Sequence, residues 1–318
     1  MIRDYLEKNP DEYYTGDLAI QQKYEELYPT DPLPGVDYIN DILQDAGKTK
    51  PHHKKRRGTA RYLAYPVLAV IRLGTRVADV DFIGHKFIRG VSEPLHFLSI
   101  GYRNPARLRC IQRTNSETTD EAIAKTNVIF DTLGWPDVVK TDVGSPFAGR
   151  GMRFIPRYAA NLLKRSVTPV YGNPRSPWNQ GTGEGSNSVF GRNFWEKHDF
   201  TSVEMVDERI AAFNASSKKY AQWTQWVRET KDISFIPRIC FIRKVGEDTR
   251  RKNGVIPVAG ELISLPKEYI GYFVFSEWHL KERKLKIFFE REGEIQQIEE
   301  KEFSINPKSQ ERCTDLFT

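Results

Sequence analysis

Apolar residues recur along this chain with two different periods, and the switches between them mark out the elements. The first stretch is helical. In GDLAIQQKYEEL, Leu18, Ala19, Gln22 and Leu27 fall near one face. In VDYINDILQDAG, Val36, Ile39, Ile42 and Leu43 repeat at helical spacing, and Gly47 stands where a C-cap is expected. The turn-rich PTDPLPG separates the two. From residue 74 the pattern shifts to strands: GTRVADVDFIGHKFI (74–88), LHFLSIGY and ARLRCIQR follow one another, the last two split by RNP (103–105), which predicts an antiparallel meander.

Helical spacing then returns in TTDEAIAKTNVIFDTLGWP. Thr118 and Glu121 have capping-box spacing, Ile123, Phe130 and Leu133 form the apolar stripe, and Gly134 with Pro136 ends it. A short strand, DVVKTD (137–142), a helix in RFIPRYAANLLKRS, a strand in VTPVYG and a helix in EGSNSVFGRNFW complete the order βββαβαβα. That order predicts an α/β core, a mixed sheet with helices on its faces. VEMVDERIAAFNASSKKYAQW reads as a further helix. TQWVRETKDISFIPRI is a linker. Residues 239–306 break into short strands with glycine turns, which predicts a small β-barrel.

Composition adds bounds. At 318 residues the chain exceeds one typical domain. With 39% apolar and 28% charged residues, no apolar run near 18 residues and no apolar leader in MIRDYLEKNPDEYY, the expectation is a cytoplasmic protein without a membrane partner. Three widely separated cysteines offer neither a disulfide framework nor a zinc-finger spacing. A net charge of +6 leans toward a polyanionic partner. The charge is concentrated in KTKPHHKKRRGTAR (48–61), which holds seven Lys or Arg and no acid. Lys54, Lys55, Arg56 and Arg57 are its centre. The segment fits a solvated tether or a strip that neutralises phosphates. Two helices and a turn before a basic strip suggest a helix-turn-helix-like DNA-binding domain, and a generic helical domain is equally compatible.

Three carboxylates stand out by position: Asp81 on the first strand, Asp142 at the end of the fourth, and Glu184 opening the last core helix. Each alone is an ordinary surface or capping acid. Together, at strand ends that meet loops, they suit hard divalent cations with oxygen ligands. Strand periodicity does not choose between Asp79 and Asp81, which share a sheet face. Ser186, Asn187 and Arg192 follow Glu184 on the same helix, placed either for DNA backbone contact or as solvated helix surface.

At these residues, VDF (80–82), TDVGSPF (141–147) and SPWNQGTGE (176–184), the chain resembles the catalytic core shared by retroviral-type integrases and the DDE transposases of bacterial insertion sequences. The resemblance spans about residues 70–200. It implies a ribonuclease H-like core and makes Asp81, Asp142 and Glu184 the catalytic metal ligands, Asp81 being favoured over Asp79 because it precedes an aromatic. It also implies two Mg²⁺ ions, with Mn²⁺ as a substitute, and metal-dependent cleavage and strand transfer of mobile-element ends. DNA would be the partner, and a homo-oligomer on the prokaryotic nucleoid the working form. The 42 positions from Asp142 to Glu184 (184 − 142) are more than the family's usual spacing, and Gln180 stands between Asn179 and Gly181. There is no HHCC zinc module; His52 and His53 belong to the basic strip, so the N-terminus points to the insertion-sequence type. The C-terminal strands resemble the SH3-like barrel that follows such cores, and their mixed charge suits a stabilising or assembly role. The expected organisation is a helical DNA-binding domain at 1–47, a basic linker at 48–69, the core at 70–225 and the barrel at 235–306. Readings of other classes are a domesticated, non-catalytic DNA-binding protein and a structure-selective nuclease.

Overall fold

The computed structural model describes residues 1–49, 65–102, 108–149, 151–174, 181–224, 235–250 and 253–316, with backbone alone at 181–184 and 315. Lys54, Lys55, Arg56 and Arg57 lie outside the described residues. Three helices lead the chain: α1 (Ile2–Lys8), α2 (Asp17–Leu27) and α3 (Val36–Asp45). Gly47 has φ +65 and closes α3, with Lys48 N–H donating to the Leu43 carbonyl at 2.8 Å. A short helix α4 (Val67–Ile71) straddles the expected boundary between linker and core at residue 69. Its VLAVI sequence buries Ala69 and Val70 against the sheet, and that apolar gain is what orders it.

The core follows as β1 (Val77–Lys86), β2 (Leu95–Tyr102), β3 (Arg109–Thr114), α5 (Thr119–Leu133), β4 (Val138–Thr141), α6 (Ser145–Ala148), α7 (Arg157–Leu163), β5 (Thr168–Tyr171) and α8 (Gly181–Val189). A π-helical segment, Phe190–Trp195, continues α8, and α9 (Val203–Tyr220) follows. Thr118 caps α5 as expected, its hydroxyl accepting from Glu121 N–H. Glu121 does not complete the box; its carboxylate grips Asn115 instead.

The C-terminal third departs from the expected barrel. Its strands are β6 (Arg238–Lys244), β7 (Gly246–Asp248), β8 (Asn253–Val258), β9 (Glu261–Leu265), β10 (Phe273–His279), β11 (Lys284–Arg291) and β12 (Glu294–Glu302), with α10 (Pro307–Arg312) after them. Four of these strands extend the core sheet. The result is a nine-stranded mixed sheet in the order β12-β11-β10-β6-β5-β4-β1-β2-β3, beside a three-stranded sheet β7-β8-β9. β1, β4, β5 and β6 run parallel; β1-β2-β3 and β6-β10-β11-β12 are antiparallel. The reason is in the residues. Ile239, Cys240, Phe241 and Ile242 are all buried, so both faces of β6 are apolar, and every residue of β10 is buried. Strands apolar on both faces belong inside a covered sheet, not in a small barrel with one wet face.

The sheet's two faces have different covers. Ala78 and Val80 of β1 join the core under α5, α7 and the β7-β8-β9 sheet. Val77 packs with α4, and Ile83 with the π-helical segment, α9 and the N-terminal helices. The N-terminal helices are docked rather than free. Tyr13 and Tyr14 are buried, Tyr13 packing against Phe194 and Phe213 and Tyr14 stacking on Tyr220 at 4.1 Å. Lys197 donates to the carbonyls of Asn9 and Glu12. The connection from α2 to α3 spans residues 28–35, longer than the three or four residues of a usual helix-turn-helix. Edge strand β3 is covered by α9, where Asn214 bonds both Ile111 N–H and Ile111 C=O at 2.9 Å. No helix among the described residues is long and apolar enough to cross a membrane.

Candidate active site

Strand register places the first two acids. β1 and β4 are parallel neighbours, with Ala78 opposite Val139, Asp79 opposite Lys140 and Val80 opposite Thr141. Continuing that register, Asp81 stands midway along β1 and Asp142 is the first residue past the end of β4, side by side on one face. Neighbouring strands lie about 4.8 Å apart, so the two carboxylates are neighbours by construction. On its other side Asp81 is opposite Ser99 of β2, which is buried.

Both acids are partly buried, and both resist ionisation. Burial first, then the charge of Asp142, push the Asp81 carboxyl from its usual 3.8 up to about 7, against a pull from the Asn187 amide. Burial likewise raises Asp142, while the Gly144 N–H, donating at 2.9 Å, draws it back. Two close, desolvated, oxygen-only donors that are costly to ionise together are the chemistry a divalent cation relieves.

The motif residues around the acids have visible work. Gly144 sits so near Asp142 that a Cβ there would lie 2.9 Å from the carboxylate Oδ1. Phe82, next to Asp81, and Phe147, five residues past Asp142, pack with ring centroids 5.6 Å apart. Phe147 is fully buried; its ring meets Tyr158, and its carbonyl accepts from the Tyr171 hydroxyl at 2.8 Å. The two aromatics therefore lock the strand bearing one acid to the turn bearing the other.

The third acid rides on α8. Phe190 and Phe194, both fully buried, anchor the following π-helical segment against Phe97, Tyr13 and Phe213. This sets α8 over β1, where Asn187 donates to Asp81 Oδ2 at 3.4 Å. Glu184 is three residues before Asn187, one turn earlier on that helix. The described helix begins at Gly181, so Glu184 lies within its first turn rather than at its opening position.

The chain matches no protein-family model and no curated protein. Among solved structures it is similar to a chain of the simian T-cell lymphotropic virus intasome in complex with the PP2A regulatory subunit B56 gamma, at 13% identity and a TM-score of 0.40, covering 82% of this chain and 97% of that one. It is also similar to the HTLV-2 integrase catalytic core domain in complex with magnesium, at 10% identity and a TM-score of 0.30, covering 42% and 81%.

The residues expected at the site divide as follows. Asp81 and Asp142 come together, and α8 brings Glu184's backbone over the same strand. Asn187, expected on DNA or at the solvated surface, turns inward to Asp81. Arg192 is exposed, its guanidinium near the Ser188 carbonyl. The alternative acid, Asp79, is two register positions deeper, opposite Lys140, and both are buried. Sequence reasoning missed the roles of Gly144 and Phe147 in shaping the Asp142 turn, though both stood in the quoted motif.

Proposed function

We propose that this chain is a DDE-type polynucleotidyl transferase on a ribonuclease H-like core, cleaving mobile-element ends and joining them to target DNA. The observation that carries the reading is the register: Asp81, midway along β1, and Asp142, the first residue past the end of β4, stand side by side on adjacent parallel strands, desolvated and with the charge of Asp142 opposing ionisation of Asp81. The inner sheet order β3-β2-β1-β4-β5, an antiparallel meander followed by parallel strands, supports the core assignment. Asp81 and Asp142 would hold the magnesium ions with Glu184, and the bound ions would supply charge for an in-line phosphoryl transfer. Asn187 orients the Asp81 carboxylate, and Gly144 N–H fixes that of Asp142. Joining two ends calls for more than one copy on DNA, so a homo-oligomer is part of the proposal.

The test is a joining assay with labelled candidate end DNA and supercoiled target. Mg²⁺ or Mn²⁺ should support strand transfer, and Ca²⁺ should permit DNA binding without turnover, because its looser coordination misplaces the reacting oxygens. Joining that persists in EDTA would remove the two-metal reading. Cutting without joining would leave a nuclease, and binding without either a non-catalytic DNA-binding protein.

A further inference from the structure

At the far end of β1 a second cluster has no part in the chemistry above. The β1–β2 register shifts by one residue between Ile83, opposite Phe97, and Lys86, opposite Leu95. Gly84 and His85 thus share the place opposite His96, a β-bulge. Without the extra residue, His85 would share the face of Asp81 and Ile83. With it, His85 turns to the His96 side, and the two imidazoles meet edge to face at 4.6 Å. Glu117, in the turn between β3 and α5, completes the group: its Oε1 is 3.3 Å from His96 Nδ1 and 3.5 Å from His85 Nε2.

These distances suit a shared ion better than direct pairing. A charge-assisted N–H···O bond is normally about 2.7–2.9 Å. Ligands at about 2.05 Å from a tetrahedral zinc stand about 3.3 Å from one another. The ligand atoms of all three residues lie within 4.8 Å of each other. The donor types also discriminate. Two imidazoles and a carboxylate select a borderline transition ion, whereas the all-oxygen acid pair suits magnesium. His85 is half exposed, which leaves room for water at a fourth position. The site is separate from the acids: four residues along a strand put His85 roughly 13 Å from Asp81.

We propose that His85, His96 and Glu117 bind one zinc-class ion, which cross-links the bulged end of β1, strand β2 and the turn that enters α5. This site does not depend on the proposed activity. The test uses full-length Asp81→Asn protein, which weakens ion uptake by the acid pair, stripped with chelator and titrated with Zn²⁺ and, separately, Co²⁺. The expected result is one equivalent of zinc, a visible ligand-field band with cobalt and a higher melting temperature with either ion. His85→Gln or His96→Gln in that background should remove the equivalent and the band. His85→Gln, at a half-exposed position, should leave the metal-free melting temperature unchanged. A His52→Ala/His53→Ala variant should keep both signals. No uptake in the parent, or uptake that survives either glutamine substitution, would overturn the proposal.

Discussion

Phe82 and Phe147 face each other across 5.6 Å, one beside Asp81 on β1 and the other five residues past Asp142, which opens the turn after β4. The contact makes the acid pair a property of the core and not of a loop. Phe147→Ala should remove the more deeply buried partner and cost about 3–5 kcal/mol of stability, read by denaturant unfolding. Gly144→Ala should act differently. The new methyl meets the Asp142 carboxylate and not a packed core. Strand transfer should fall at least about tenfold while stability changes by less than about 1 kcal/mol. Equal activity in Gly144→Ala would show that the Asp142 carboxylate need not hold this position.

Asp81→Asn should abolish cleavage and joining, by about two orders of magnitude or more, with DNA binding nearly intact. Asp79→Asn should show the opposite profile. Its position opposite buried Lys140 makes it a structural group, so its melting temperature should drop while turnover per folded molecule stays within about tenfold to a hundredfold. Gel-shift, joining and melting measurements on both variants separate the roles, and the reverse order would move the ligand assignment to Asp79.

The raised Asp81 carboxyl gives a pH signature. The folded protein holds this proton up to about pH 7, whereas the unfolded chain releases it near 3.8. The stabilising contribution of the proton is therefore complete below about 3.8 and is lost as pH rises through about 7, at up to about 1.4 kcal/mol per unit. Without added metal, wild type should lose stability between pH 5 and pH 8 relative to Asp81→Asn. Saturating Mg²⁺ should shrink the difference. Parallel pH–stability curves for the two proteins would contradict the assignment.

Lys54, Lys55, Arg56 and Arg57 are tested by salt dependence. If they neutralise phosphates, replacing all four with Ala should weaken binding to every DNA sequence alike and lower the salt slope by up to about four. An unchanged slope would make the segment a tether.

What could be read from the sequence depended on whether one segment's pattern was enough. The meander, α5 and the βαβα continuation follow from local period and capping, and the structure has them in that order. The placement of Asp81 beside Asp142 was suggested by family likeness; the register that produces it pairs residues 61 apart (141 − 80). The C-terminal strands were legible as strands but not as part of the core sheet. That choice is made by what covers the second face of β6, and the cover includes α4, about 170 residues earlier (240 − 69 = 171), which straddles the expected end of the linker. The inward turn of Asn187 depends on the aromatic anchor at Phe190 and Phe194, and spacing alone does not set it.

The pairing of β6 with β5 also governs how the molecule can be made. During synthesis, the first five strands are complete once Tyr171 has left the ribosome, yet the outer edge of β5 stays raw until residues 238–244 emerge. β6 then waits for residues 273–279 before its own far side is closed. For about 100 residues of translation a growing chain carries an open, apolar strand edge, the kind that pairs with neighbouring chains on a polysome. A fragment ending near residue 224 keeps that edge permanently, so the core cut at its apparent boundary should aggregate where the whole chain does not.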